Sequence, residues 1–110
     1  MEIHFASEGL RDECNDSKKL TRKYGKQGGN SLRRRLDDLD AAATLDTMRS
    51  LPGKCHELKG DRKGQLAITV VGGKRLIFEP VDPDSARKPD GGLDWSQVTA
   101  IRILGVEDYH

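Results

Sequence analysis

The side chains able to do chemistry in this 110-residue chain gather in three places. His56, Lys59, Arg62 and Lys63 share one basic stretch, Arg75 stands alone in an apolar run, and Asp108-Tyr109-His110 closes the sequence. Histidine moves protons near neutral pH. Lysine and arginine hold anions, and arginine can bond two oxygens of one phosphate. An aromatic ring such as Tyr109 can stack on a splayed base, which contributes about 1–3 kcal/mol. Converged on one phosphodiester, such a set supplies a base for a 2′-OH, positive charge for the pentacoordinate phosphorus and an acid for the 5′ oxygen. Asp108 would orient a histidine or merely cap a strand end.

Each of these residues also has an ordinary reading. His56 suits an exposed strand, Lys59, Arg62 and Lys63 suit a solvated turn, and a terminal residue such as His110 is usually frayed. Cys14 and Cys55 are too few for a disulfide framework or a structural zinc site, and adjacent Cys55-His56 is not a usual chelating spacing. No metal and no cofactor is expected. The formal net charge is +1 although 34% of residues are charged, and the cations concentrate in 18–26 and 54–63. A neutral total with basic patches points to local anion binding rather than general adhesion to nucleic acid. No apolar run reaches membrane-spanning length and no secretory leader is visible, so the expectation is a cytoplasmic protein with no membrane partner.

The elements that must position these side chains read as one domain over 1–110. Glu2–Ala6 alternates as a strand, with Ile3 and Phe5 on one face. Ser7 caps a helix that ends near Tyr24-Gly25, with a break plausible in its polar centre. Gln27-Gly28-Gly29-Asn30 reads as a turn, and Asn30 or Ser31 caps a second helix running to about Leu45. Its apolar stripe is Leu32, Leu36, Leu39 and Ala43. Arg33, Arg34 and Arg35 lie on the side opposite it, a solvated face in which Asp37 and Asp38 can pair with Arg33 and Arg34, or one offered to RNA together with Lys18, Lys19, Arg22 and Lys23. After Pro52-Gly53 the pattern turns to strand from Lys54. Regular alternation would put His56 and Lys59 on opposite faces. Leu66–Val71 and Arg75–Pro80 form a hairpin about Gly72-Gly73, since a type I′ turn needs positive φ at both central residues. Arg75, a cation opening a core strand, must be paired or face a cleft. Asp82–Asp94 is a loop, and Val98–Val106 is the last strand. The result is an α+β fold, two N-terminal helices on a small mixed, mostly antiparallel sheet.

The order His56-x-x-Lys59-Gly60-Asp61-Arg62, then Arg75-Leu76-Ile77-Phe78-Glu79-Pro80, then Asp108-Tyr109-His110 closely resembles the HigB branch of the RelE/ParE superfamily, the plasmid-maintenance killer proteins of type II toxin–antitoxin systems. The resemblance implies a compact RelE-like fold and a ribosome-dependent endoribonuclease that cuts mRNA by metal-independent 2′-OH attack. It also implies His56, Lys59, Arg75, Tyr109 and His110 as catalytic, and a cognate helix-turn-helix antitoxin of HigA type. DNA would be met only indirectly, through that antitoxin. Arg62 and Lys63 match the basic turn and, with Asp108, are expected to bind substrate. The carboxylate of a chain ending on His110 would favour a protonated imidazole, which suits a general acid, leaving His56 or Lys59 as base. Two other readings stay open: a non-enzymatic ParE-type binder of DNA gyrase, and an inactive relic that only binds antitoxin. The loop at Asp82–Asp94 is longer than in the shortest members of the family.

Overall fold

The computed structural model describes residues 1–108, so Tyr109 and His110 lie outside the described residues. Strand β1 (Glu2–Phe5) leads into helix α1 (Glu8–Cys14), whose start is capped by Ser7 Oγ accepting from the Leu10 amide at 3.1 Å. The polar centre does break the helix. Asp16 begins a new one, α2 (Ser17–Ala41), by accepting from the amides of Lys18 and Lys19.

Helix α2 is bent back on itself at Gly25, where φ is 78° and ψ is 171°. Only glycine occupies that backbone region without strain, so the expected helix end at Tyr24-Gly25 is found. The expected turn at Gln27–Asn30 is not: those residues are helical, and neither Asn30 nor Ser31 is a cap. Gly28 and Gly29 are buried because the two arms of α2 cross there. A Cβ on Gly29 would stand 3.1 Å from Leu20 C and O and from Thr21 N. Leu32, Leu36 and Leu39 form the buried stripe of the second arm. Ala43, expected to extend it, is exposed, because the helix stops at Ala41 and Ala42 turns inward instead. A 3-10 turn, Leu45–Ser50, then adds Leu45 and Met48 to the core.

The sheet has the order β1-β5-β4-β3-β2. Its strands are β2 (His56–Glu57), β3 (Leu66–Val70), β4 (Lys74–Pro80) and β5 (Ala100–Asp108), antiparallel throughout except that β1 runs parallel to β5. This is the expected mixed, mostly antiparallel α+β architecture. Leu66, Ile68, Val70, Leu76, Phe78, Ile101 and Ile103 pack into one core with the helices. Ala67 and Ile77, on the opposite pleat, are also shielded from water, so β3 and β4 are apolar on both sides as anticipated.

Two other expectations shift. The hairpin closes at Val70↔Lys74, so its loop is Val71-Gly72-Gly73 rather than two glycines alone, though both glycines do have positive φ. The loop after β4 is built rather than open. It holds a 3-10 turn, Pro83–Ala86, an Arg87↔Leu93 bridge, and the buried Ala86, Leu93 and Trp95. Among the described residues, no helix is long and apolar enough to cross a membrane.

The bend makes a direct prediction. Replacing Gly25 by Ala should destabilise the fold by about 1–3 kcal/mol in urea titrations, although a Cβ there has open space around it. Asn should do no better, since this is not the left-handed helical region that Asn tolerates. A gain in stability, as expected for Gly→Ala inside a straight helix, would show that the bend is absent.

Candidate active site

The pleat of the sheet decides which residues meet. On β4, Arg75, Ile77 and Glu79 alternate with Leu76 and Phe78, so core burial of the latter pair turns Arg75 to the opposite, open face. The register carries this across the sheet. His56 pairs with Ala67 and Ala67 with Ile77, while Thr69 pairs with Arg75 and Arg75 with Glu107. His56, Arg75 and Glu107 therefore share one face, His56 two strands from Arg75, or roughly 10 Å at the usual strand spacing. A bulge between Ile77 and Phe78 lies beside them, where β4 changes register on β5.

His56 is exposed, and its Nδ1 lies 2.8 Å from the carbonyl oxygen of Lys54. A carbonyl only accepts, so Nδ1 carries a proton and the neutral ring presents a lone pair at Nε2. That is the tautomer a proton acceptor needs. The carbonyl is aimed by strain: Lys54, with φ 51°, is the one non-glycine residue at positive φ among the described residues. The neighbouring Glu57 points the other way and accepts from Trp95 Nε1 at 3.0 Å, which pins β2 from its far side. Burial pushes the Cys55 thiol up to about 12, so the sulfur beside His56 is not a ready nucleophile or ligand.

The regular strand expected from Lys54 to Asp61 does not form. Strand β2 is two residues long, and the chain then enters a 3-10 turn, Gly60–Arg62. The apparent conflict between His56 and Lys59 thus falls away, because Lys59 is the N-cap of that turn and not a strand residue. Lys59 is exposed and makes no ion pair among the described residues.

Arg62, from the end of the turn, reaches across to β5. Its two terminal nitrogens donate to Glu107 Oε1 and Oε2, both at 2.8 Å, and its Nε donates to Gln65 Oε1 at 3.0 Å. These bonds hold the Glu107 carboxyl below the usual glutamate range, with Arg75 adding to the effect. Arg75, about one quarter exposed, keeps a 3.6 Å contact to Glu107 Oε1. Of the two expected outcomes for Arg75, pairing is the one found.

The remaining candidates sit apart. Asp108 accepts from Lys74 Nζ at 2.5 Å, on the pleat opposite Arg75 and Glu107. It belongs to the strand, since β5 begins at Ala100 and ends at Asp108 rather than spanning Val98–Val106. Lys63 lines a separate groove of about 680 Å³ with Glu57, Arg87 and Asp90. A larger groove of about 820 Å³, lined by His4, Arg11, Arg33 and Asp37, runs between β1 and the helices, away from this face. The anticipated pairing of Arg33 and Arg34 with Asp37 and Asp38 is replaced by Arg35–Asp38 at 3.1 Å, which leaves Arg33 and Arg34 exposed. Sequence reading missed Glu107. Its signal is a carboxylate on the strand leading to Asp108, recognisable only once the register sets it opposite Arg75.

The fold defines a class. Solved structures similar over the whole chain include a YoeB/ParE toxin from Agrobacterium tumefaciens (TM-score 0.59, 11% identity, all of both chains covered). They also include the YoeB-YefM complex from Staphylococcus aureus (TM-score 0.57, 17% identity, 100% of this chain and 97% of that one). At those identities the likeness concerns the fold. By sequence, the chain is 32% identical over 76 residues to the Endoribonuclease HigB of Proteus vulgaris, a match spanning 69% of this chain and 65% of the relative's length, just under two thirds. No protein-family model matches. The chain thus shares the fold of these YoeB/ParE toxin structures, and over the matched residues its sequence is similar to an endoribonuclease of HigB type.

The depressed Glu107 carboxyl has a consequence for acid stability. A group whose pKa is lowered on folding stabilises the fold above its unfolded value, and that contribution fades as pH falls through the folded value. The gap in stability between wild type and Glu107→Gln should therefore be open at neutral pH and narrow as pH falls below the usual glutamate range, followed by urea titration. A gap constant across that range would mean that the carboxylate form is not what Arg62 holds.

Proposed function

We propose that this protein is a toxin of a type II toxin–antitoxin pair that cleaves mRNA on the ribosome. The observation that carries the reading is the sheet face where a histidine with an accepting Nε2 and an arginine directed away from the core stand on the same pleat, two strands apart. The sequence likeness to an endoribonuclease supports it, as do the toxin structures that share the fold.

In this reading the scissile phosphate lies against Arg75, whose fork bonds the non-bridging oxygens as charge builds on phosphorus. His56 Nε2, or the Lys59 amine, takes the 2′-OH proton, and attack on phosphorus expels the 5′ oxygen. The 2′ oxygen becomes part of a 2′,3′-cyclic phosphate, and His110 returns a proton to the leaving oxygen. Tyr109 stacks on the displaced base. Arg62 borders the face through Glu107, whereas Lys63 in its separate groove and Asp108 on the opposite pleat would meet the RNA only beyond the scissile phosphate. These roles need no metal ion.

Ribosome dependence rests on charge placement. Lys18, Lys19, Arg22, Lys26, Arg33 and Arg34 are exposed on α2. A helical layer bearing these cations suits a large RNA surface, while the sheet face handles one phosphate. The partner that restrains the protein is proposed to be a cognate antitoxin; a structural relative solved as a YoeB-YefM complex supports a protein partner, and the HigA-like, helix-turn-helix type rests on the sequence resemblance alone.

Single-turnover cleavage of a 5′-labelled mRNA on programmed ribosomes tests this reading. Products ending in 2′,3′-cyclic phosphate are expected, with naked mRNA cut far more slowly and a 2′-deoxy substitution at the cut site blocking the reaction. Arg75→Ala should slow cleavage by roughly 10²-fold or more, on the scale of losing a preorganised donor. Manganese rescue of a phosphorothioate at the cut site would overturn the metal-free route, and equal cutting of naked RNA would overturn ribosome dependence.

A further inference from the structure

A buried indole needs an acceptor for its N–H, and the bond fixes ring and acceptor together. Trp95 is 4% exposed, and its Nε1 donates to Glu57 Oε2 at 3.0 Å, behind the strand that carries His56. The ring is held from two directions. Arg49 stands over it at 4.0 Å and is itself bonded to Asp46 through Nε at 2.7 Å. Asp94 caps the 3-10 turn Trp95–Gln97 by accepting from the Ser96 amide at 3.0 Å, and its own amide donates to the Ala86 carbonyl at 2.7 Å. Ala86, Leu93 and Trp95 all join the core. The segment after β4 therefore delivers a fixed donor to the reverse side of β2.

Strand β2 needs such a support. It has two residues, lies at the edge of the sheet and pairs with β3 alone. Neighbouring strand residues point to opposite faces, so a roll of β2 about its axis that moves Glu57 moves His56 with it. The bond from His56 Nδ1 to the Lys54 carbonyl turns the ring, but its partners are two residues apart and roll together. The Glu57–Trp95 bond spans 38 positions and resists the roll.

We propose that Trp95 is a positioning residue for His56: by holding Glu57 on the reverse pleat, its indole N–H keeps β2 from rolling and His56 Nε2 directed over the sheet face. The segment between β4 and β5 is then a brace for the site and not only a surface loop. The catalytic consequence rests on the ribonuclease reading, and the effect on the His56 ring does not.

The test uses the full chain and three substitutions. Trp95→Phe keeps an aromatic ring under Arg49 and removes the N–H. Glu57→Ala removes the acceptor at an exposed position, so it reads the bond without a change in the core. Glu57→Gln keeps an accepting oxygen. Nitrogen-15 shifts of the His56 imidazole report the ratio of Nδ1–H to Nε2–H forms. Single-turnover cleavage of ribosome-bound mRNA, over a range of protein concentrations, separates the maximal rate from the half-saturating concentration. Trp95→Phe and Glu57→Ala should each lower the maximal rate by about tenfold or more, the scale of a misplaced reacting group. Both should leave half-saturation unchanged and move the imidazole toward the Nε2–H form. Glu57→Gln should stay within about threefold of wild type. Combining Trp95→Phe with Glu57→Ala should cost no more than the slower single change, because both remove the same bond.

Cleavage at the wild-type rate in Glu57→Ala, or an unmoved imidazole ratio, would overturn the inference. So would a Glu57→Gln as slow as Glu57→Ala, which would make charge the cause, or losses that add in the double variant. If wild-type protein cuts no RNA yet the imidazole ratio follows the expected order among the variants, the ribonuclease reading falls while the positioning role stands.

Discussion

Strand β4 has to satisfy two incompatible neighbours on alternate residues, and this constraint sets the rest of the molecule. Leu76 and Phe78 belong to a core with essentially no access to water, while Arg75 between the turn and Leu76 carries a permanent charge. A slip of one residue would drive the guanidinium into that core and bring Leu76 and Phe78 out. Burying the cation without a partner would cost several kcal/mol after relaxation. The register that buries the apolar pair is therefore the one that presents Arg75 to the open face. From it follow the pairing with Thr69 on one side and Glu107 on the other, and through Ala67 the placement of His56. The site is a consequence of how the core is packed.

Where local chemistry dominates, the chain could be read directly. Ser7 caps because its hydroxyl reaches an amide three residues on, and Gly25 bends the helix because no other residue accepts its backbone angles. The hairpin at Gly72-Gly73 follows from the same logic. Gly28-Gly29 misled for an instructive reason. A glycine pair signals a turn when only its neighbours are considered, yet here it lets the backbone of Leu20 approach, and that demand comes from nine positions away. The failure at Lys54–Asp61 is similar. Alternation describes a strand, but nothing in the residues marks where a two-residue strand gives way to a 3-10 turn. The ion pair between Arg62 and Glu107 was out of reach altogether, since 45 positions separate its partners and only the sheet order joins them.

Strain is confined to the margin of the site. Lys54 holds a left-handed conformation that costs about 1–2 kcal/mol for a residue with a Cβ. The preceding Gly53 carbonyl is fixed by the amide of Thr69 at 2.7 Å, so the turn is over-determined from the β3 side. What that cost secures is a carbonyl aimed at His56 Nδ1. Trp95 secures the opposite pleat of the same strand, with its ring under Arg49 at 4.0 Å and its nitrogen on Glu57. A two-residue edge strand has too few ladder bonds to orient a side chain unaided, and these flanking contacts do that instead.

The sheet also separates two kinds of electrostatics. On its helical side, cations stand exposed along α2 with few acids bonded to them, and Lys23 beside Glu13 is the exception. Such charges act through bulk attraction and weaken together as salt rises, because exposed charges are screened over roughly 8–10 Å. On the other face the arginines are met by specific carboxylates: Arg62 and Arg75 by Glu107, Arg102 by Glu79 at 2.9 Å. Those contacts are short and directional, and added salt disturbs them far less. A net charge near zero is the sum of these unlike halves. In the proposed ribonuclease, the helices would set how tightly a large RNA is held and the sheet how one phosphate is treated, so affinity and chemistry can vary independently within a single small fold.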